Sequence, residues 1–199
     1  MAERKYDRKL HIKTVGLREW GNDVTAYNRY EATPYVALDK LFETYKFKKD
    51  DRLVDFGCGR GRVAFYTHHR FQIPVTGVEA NDRTFEEALK NKEMYKKKVK
   101  TDVPIDFVYA LAEAYEVDQK DNCFYFFNPF SLKIFKQVTR NILNSVKQHQ
   151  REIDLILYYP LPEFKEFLKI HTPFRILNKI KVPGIHGKYG KFVIYRLNE

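Results

Sequence analysis

The stretch RLVDFGCGRGRVAFYTHHR, residues 52–70, decides the reading of this chain. An apolar run closes on Asp55, the chain passes through Gly57, Gly59 and Gly61, and an amphipathic helical pattern follows. Strand, glycine turn and helix in that order form the first half of a βαβ unit. Glycines at such a turn permit tight bending and close backbone approach, and the helix behind them presents free N–H groups. A ligand site at this turn is therefore expected.

The same alternation extends outward. Upstream, TPYVALDKLFETY (33–45) carries apolar residues at helical spacing, with Thr33 as a cap and Pro34 in the first turn. Downstream, strand-like PVTGVEA (74–80), IDFVYA (105–110), CFYFFN (123–128) and IDLILYY (153–159) alternate with helical stretches, including a long one from Ser131 to about Lys147. FRILNKIKV (174–182) and GKFVIYRL (190–197) flank the short loop PGIHGKY, which suits a hairpin. The expected fold is α/β: a doubly wound, mostly parallel seven-stranded sheet with an antiparallel last strand and helices on both faces. Residues 1–199 read as one domain, without repeat, low-complexity tract or linker.

Composition narrows the class. A 44% hydrophobic and 16% aromatic content supports a packed core, and 31% charged residues support a solvated exterior. No apolar run reaches membrane-spanning length and the opening MAERKYDRKLHIK is too charged for a secretory signal, so a cytoplasmic protein is expected, with no membrane partner. Cys58 and Cys123 lack metal-ligand spacing and read as reduced thiols. The adjacent His68 and His69 project in different directions on a helix, which argues against a shared metal. The formal charge of +10 is concentrated in KNKEMYKKKVK (90–100), where six lysines accompany one acid. Such a run is by default a solvated helix face, with phosphate binding the alternative.

The glycine spacing selects among ligands. A dinucleotide turn of the form G-x-G-x-x-G requires glycine at 62, where the chain has Arg62, and the actual pattern is G-x-G-x-G. Asp55 lies two residues before the first glycine, where a carboxylate is poorly matched to a pyrophosphate and well matched to an ammonium.

VDFGCGRGR resembles the first motif of class I S-adenosylmethionine-dependent methyltransferases, and Glu79, ending VTGVE, falls where that family has a ribose-binding acid on its second strand. NRYEATPY (28–35) is similar to a Tyr-x-x-Thr-Pro segment preceding the sheet in some members, and FYFFNPF (124–130) to the motif after the fourth strand. The resemblance implies a Rossmann-like fold, S-adenosylmethionine as cofactor and a methyl acceptor as partner. Asp55 would then attract the methionine ammonium, Gly57, Gly59 and Gly61 would admit the ligand against backbone, and Glu79 would accept from the ribose hydroxyls. Leu111 and Ala112 would contact the adenine, with Glu113 one position displaced from the usual adenine-reading acid. Tyr30 and Thr33 would offer hydroxyls to the methionine carboxylate, within an N-terminal helical segment, 1–50, that closes the cofactor site.

Asn128, Pro129 and Phe130 are the expected acceptor residues: NPF resembles the Asn-Pro-Pro-aromatic motif of amino-group methyltransferases, one proline short. That pattern favours a nitrogen acceptor and leaves protein, nucleic acid and small-molecule amines level. Two competing readings are a nicotinamide-dependent reductase, opposed by Arg62 and Asp55, and a catalytically inactive module binding an adenosyl ligand or nucleic acid.

Overall fold

The computed structural model describes residues 2–16, 27–28, 31–184 and 190–198. Two short helices, α1 (Ala2–Leu10) and α2 (Tyr35–Thr44), precede β1 (Leu53–Phe56). Then come α3 (Arg62–Phe71), β2 (Val75–Glu79), α4 (Asp82–Lys98), β3 (Ile105–Tyr109), a single 3₁₀ turn (Ala112–Ala114) and β4 (Cys123–Phe126). The chain ends with α5 (Leu132–Gln148), β5 (Ile153–Tyr158), α6 (Pro162–His171), β6 (Arg175–Lys181) and β7 (Lys191–Leu197). The seven strands form one sheet in the order β3-β2-β1-β4-β5-β7-β6. The pairs among β1 to β5 are parallel, while β7 runs antiparallel to both β5 and β6. The expected sheet and its antiparallel last strand are thus present.

Period-two alternation builds two cores. On one face Leu53, Cys123, Tyr125, Ile156, Tyr158, Phe192 and Ile194 meet residues of α1 to α4. On the other, Val54, Phe56, Phe124, Phe126, Leu155, Leu157 and Val193 meet α5 and α6. Burying side chains of this size contributes roughly 1.5–3 kcal/mol each, which makes the central strands the stable part of the molecule. In α5 the buried residues Ile134, Phe135, Val138, Thr139, Ile142 and Ser145 recur at helical spacing and lay one stripe on the sheet.

The N-terminal stretch MAERKYDRKLHIK, polar in sequence, holds a helix over Ala2–Leu10 that buries Asp7 and Leu10. Asp7 accepts hydrogen bonds from Thr14 N (2.6 Å), Thr14 Oγ1 (2.7 Å) and the Tyr35 hydroxyl (2.8 Å), tying α1 to α2. Thr33 does not cap α2: Pro34 occupies the cap position, and the Thr33 hydroxyl pairs instead with the Tyr125 hydroxyl at 2.8 Å. His68 is wholly buried, with Nδ1 2.8 Å from the Tyr95 hydroxyl and Nε2 3.0 Å from the Val103 carbonyl, so it serves packing.

Candidate functional site

The chain order reverses at β1, which has β2 on one side and β4 on the other. In open parallel sheets ligands occupy the crevice at this switch point, beyond the carboxyl ends of the strands. A cleft lies there, and Asp55, Gly57, Glu79, Thr33, Ala112 and Pro129 of the expected site residues line it. Fifty-seven positions separate Asp55 from Ala112 in sequence, and the sheet brings them to one cavity.

Asp55 ends β1 with its side chain buried, and Oδ2 has no hydrogen-bond partner. Burial, and then the nearby Glu79 charge, push its carboxyl up to about 8. An orphaned carboxylate oxygen in a cleft is costly unless a cationic or donor group meets it. Glu79 is satisfied differently. Its Oε2 accepts from Gly59 N (2.8 Å), and its Oε1 from Ala80 N (2.9 Å) and Asn81 N (2.8 Å). Burial raises its carboxyl and these three donors partly offset the rise. Glu79 therefore shapes the glycine turn as well as lining the cleft, and Oε2, with one donor bound, keeps capacity for another.

The three glycines have separate roles. Gly57 (φ +69) lies in the cleft wall against Pro129. Gly59 (φ +57) donates to Glu79, and Gly61 (φ +86) begins α3, where a Cβ would stand 2.7 Å from Phe65 and Phe107 ring carbons. Gly59 and Gly61 do not line the cleft; they allow its turn.

The N-terminal segment covers one side. Tyr27, Asn28, Glu31, Ala32 and Thr33 line the cleft, and Tyr30 lies outside the described residues. Tyr27 pairs with Phe130 in an isolated antiparallel bridge, donates its hydroxyl hydrogen to Glu113 Oε2 (2.7 Å) and accepts from Ala112 N (3.0 Å). Ala112 thus lines the cleft with its N–H already donated to Tyr27. Glu113 is held by the same tyrosine and is not in the cleft wall. Leu111 is half-exposed and is not among the residues lining the cleft. Arg62, buried on α3, does line the cleft, with its guanidinium bonded to Thr14 Oγ1 (2.7 Å), the Thr33 carbonyl (3.1 Å) and Glu3, over the Tyr35 ring. A residue that the motif comparison treats only as a missing glycine thus fastens α1 and the 33–35 segment to α3.

The acceptor residues separate. Asn128 adopts a left-handed backbone (φ +41), a conformation that asparagine tolerates better than most residues. Its Nδ2 donates to the Tyr159 carbonyl (2.7 Å), and Oδ1 accepts no hydrogen bond among the described residues. The Pro129 carbonyl accepts from Asn28 N (2.9 Å), so the expected backbone acceptor at 129 is already engaged. Phe130 is corrected outright: it is buried in the core against Phe126 and Tyr27, and covers no cavity. Phe127, partly buried, is the ring that lines both the cleft and a neighbouring chamber of about 630 Å³. Asn28 and Glu31 also line both spaces, and Asn128, Tyr158 and Tyr159 complete the chamber. Sequence reasoning missed Tyr27, Glu31, Phe127 and Tyr158, whose only signal was proximity to motifs already noted.

The lysine-rich run forms the end of α4 and, with Arg4, Arg8 and Lys13, lines a separate groove against α1. Among the described residues no helix is long and apolar enough to cross a membrane.

No protein-family model matches the chain. A 65-residue segment is 37% identical to a protein-lysine N-methyltransferase of Saccharolobus islandicus, covering 32% of this chain and 40% of that protein. The match thus spans well under half the length of that relative. Among solved structures, a human methyltransferase 10 domain containing protein superposes with a TM-score of 0.62 at 15% identity, over 98% of this chain and 93% of that one. A SAM-dependent methyltransferase from Methanosarcina mazei gives 0.58 at 16% identity, over 77% and 95% of the two chains. An RNA methyltransferase from Salinibacter ruber, in complex with S-adenosyl-L-homocysteine, gives 0.56 at 16% identity, over 83% and 92%. At these identities the shared property is the fold, and the resemblance carried by the motifs extends to it.

Proposed function

We propose that this chain, with the fold of the S-adenosylmethionine-dependent methyltransferases, is a methyltransferase of that kind acting on a nitrogen acceptor. The observation that carries the reading is Asp55 Oδ2, buried and unpartnered in a cleft whose other wall is Glu79. A dinucleotide would bring a pyrophosphate toward two carboxylates, whereas the methionine portion of S-adenosylmethionine brings an ammonium that satisfies the orphan. The reductase reading is disfavoured on the same ground.

S-adenosylmethionine, when bound, supplies a methyl carbon on a sulfonium, open to in-line attack by a lone pair. The residues of the chain do the positioning. Asp55 holds the ammonium, Glu79 offers Oε2 to a ribose hydroxyl, and Gly57 keeps the wall free of a side chain. Tyr27, Asn28 and residues 31–33 close the site as part of the N-terminal segment, which supports reading residues 1–50 as its cover. Asn128 Oδ1 accepts a hydrogen from the target nitrogen and so orients its lone pair. The relative from Saccharolobus islandicus, named for lysine methylation, and the RNA methyltransferase from Salinibacter ruber both fit a methyl acceptor of this kind without choosing among them. A cytoplasmic location belongs to the same reading and accords with Cys58 and Cys123, both unpaired and buried.

Calorimetry with S-adenosylmethionine, S-adenosylhomocysteine and NAD tests it. Binding of both adenosyl ligands is expected; NAD binding with neither of them would overturn the cofactor assignment.

A further inference from the structure

Among its described residues the chamber beside the cofactor cleft has a charge opposite to that of the molecule. The chain carries +10 overall, yet among the described residues no lysine or arginine lines the chamber, and the carboxylate among them is Glu31. In the adjoining cleft the cation among the described residues is Arg62, already bonded to Glu3, Thr14 and Thr33, while Asp55 and Glu79 face it. The free positive charge lies elsewhere: Arg4, Arg8, Lys13, Lys97 and Lys98 line the α1–α4 groove, and none forms an ion pair among the described residues.

Aromatic rings share the chamber wall with Asn28, Pro34 and Asn128. Phe127 and Tyr158 have centroids 4.7 Å apart with planes inclined at 60°, and Tyr158 and Tyr159 stand 6.3 Å apart at 65°. Mutually inclined rings beside a carboxylate form a corner suited to a small cation, which is drawn to ring faces. A flat base instead prefers a parallel stacking surface. Burial, and then the Glu31 charge, push the Tyr158 phenol upward, so it stays neutral and leaves Glu31 as the local anion.

We infer that the methyl acceptor is an aliphatic amine that arrives as an ammonium ion, and that Glu31 selects it by charge. The inference rests on the methyltransferase reading and names the substrate class of that site. An alkylammonium of lysine type is protonated at neutral pH and has no lone pair until it loses a proton. That proton leaves to water before attack. The nitrogen lone pair then forms a bond to the methyl carbon as the carbon–sulfur bond breaks. Its electron pair stays on sulfur, leaving a neutral thioether, and the alkylated nitrogen carries the positive charge. One proton is released per transfer. A nucleobase amine enters neutral and brings phosphates toward Glu31, whose charge opposes them.

Two measurements on the full chain test this. In the first, the protein saturated with S-adenosylhomocysteine is titrated with n-butylammonium and with n-butanol, followed by amide NMR. The expected result is at least tenfold tighter binding of the cation, with shifts around Asn128 and Tyr159, and loss of that preference in Glu31→Gln likewise saturated with S-adenosylhomocysteine. Equal response to the two probes, or shifts confined to another face, overturns the inference. In the second, transfer from labelled S-adenosylmethionine is compared for a lysine-containing peptide, the same peptide with acetylated lysine, and a mixed-sequence RNA. Label confined to the free-amine peptide, reduced at least tenfold in Glu31→Gln, is expected; label in RNA, or in neither substrate, overturns it. Failure to bind S-adenosylhomocysteine at all would instead sink the cofactor reading beneath it, so the two failures are distinguishable.

Discussion

Gly57 and Pro129 touch across the site so closely that a Cβ on residue 57 would stand 2.4 Å from the proline Cβ. The turn after β1 and the turn after β4, the proposed cofactor and acceptor loops, are therefore in direct contact. Replacing Gly57 by alanine adds this clash to a backbone with φ +69, which disfavours any Cβ. The expected outcome for Gly57→Ala is a stability loss of about 1–3 kcal/mol and at least tenfold weaker S-adenosylhomocysteine binding, read by thermal unfolding and calorimetry. Unchanged affinity would show that the contact does not shape the site.

Asp55 links stability to pH. Its carboxyl, raised to about 8 by burial and then by Glu79, titrates near 3.9 in an unfolded chain. Between roughly pH 4 and 8 the folded ligand-free protein holds a proton that the unfolded chain has released, so stability falls as pH rises through that window. Asp55→Asn removes the effect. The melting temperature of the wild type should decline from pH 5 to pH 8 more steeply than that of the variant. The variant should also bind S-adenosylmethionine about 1.5–3 kcal/mol more weakly at pH 8, the scale of a charge-assisted hydrogen bond. Parallel pH profiles for the two proteins would refute the buried, unpaired carboxylate.

Glu79 combines fold and binding. With Gly59, Ala80 and Asn81 donating to it, Glu79→Ala leaves three backbone N–H groups seeking water as well as removing a ligand contact. A loss of about 1–3 kcal/mol in stability and a similar loss in cofactor affinity are expected. Retained affinity in a folded variant would remove Glu79 from the ligand site and leave it as a brace for the turn.

Tyr27 holds the cover. Tyr27→Phe keeps the ring against Phe130 but deletes the hydroxyl that joins Glu113 to Ala112 N. Hydrogen exchange should accelerate at Ala112 and at Asn28, whose amide bonds the Pro129 carbonyl, and cofactor affinity should fall by about 1 kcal/mol. Exchange unchanged at both amides would mean that the 27–28 segment is held by other contacts.

Asn128→Ala separates binding from turnover. The side chain touches the chamber and the Tyr159 carbonyl, and not the cleft wall. Turnover should drop at least a hundredfold while S-adenosylhomocysteine affinity changes less than about threefold, because the proposed contact is made to the acceptor in the transition state. Methyl transfer equal to wild type would exclude Asn128 from the acceptor site.

Local features made the fold legible from residue order. Each central strand has side chains alternating between two apolar faces, and the glycines sit where the backbone needs positive φ, so Leu53–Phe56, Val75–Glu79 and the turn between them could be placed without any distant contact. Asp55 and Glu79 were legible for the same reason, as polar residues ending apolar strands. The buried face of the helix Ala2–Leu10 was not: it includes Asp7, and a charged residue signals burial only when partners such as Thr14 and Tyr35 are in place.

The acceptor side was decided by tertiary structure. Whether Phe127 or Phe130 faces the chamber depends on the reversal at Asn128, whose left-handed backbone sends the later ring into the core. Glu31, Phe127, Tyr158 and Tyr159 come from three segments far apart in the chain, and no local pattern joins them. Their meeting follows from the order of strands, which places β4 beside β5 and lets the N-terminal segment cross the ends of both. Propensity and periodicity act over a few residues and so specify strands, turns and the carboxylates at their ends. The shape and charge of the chamber arise only where distant segments exclude water together.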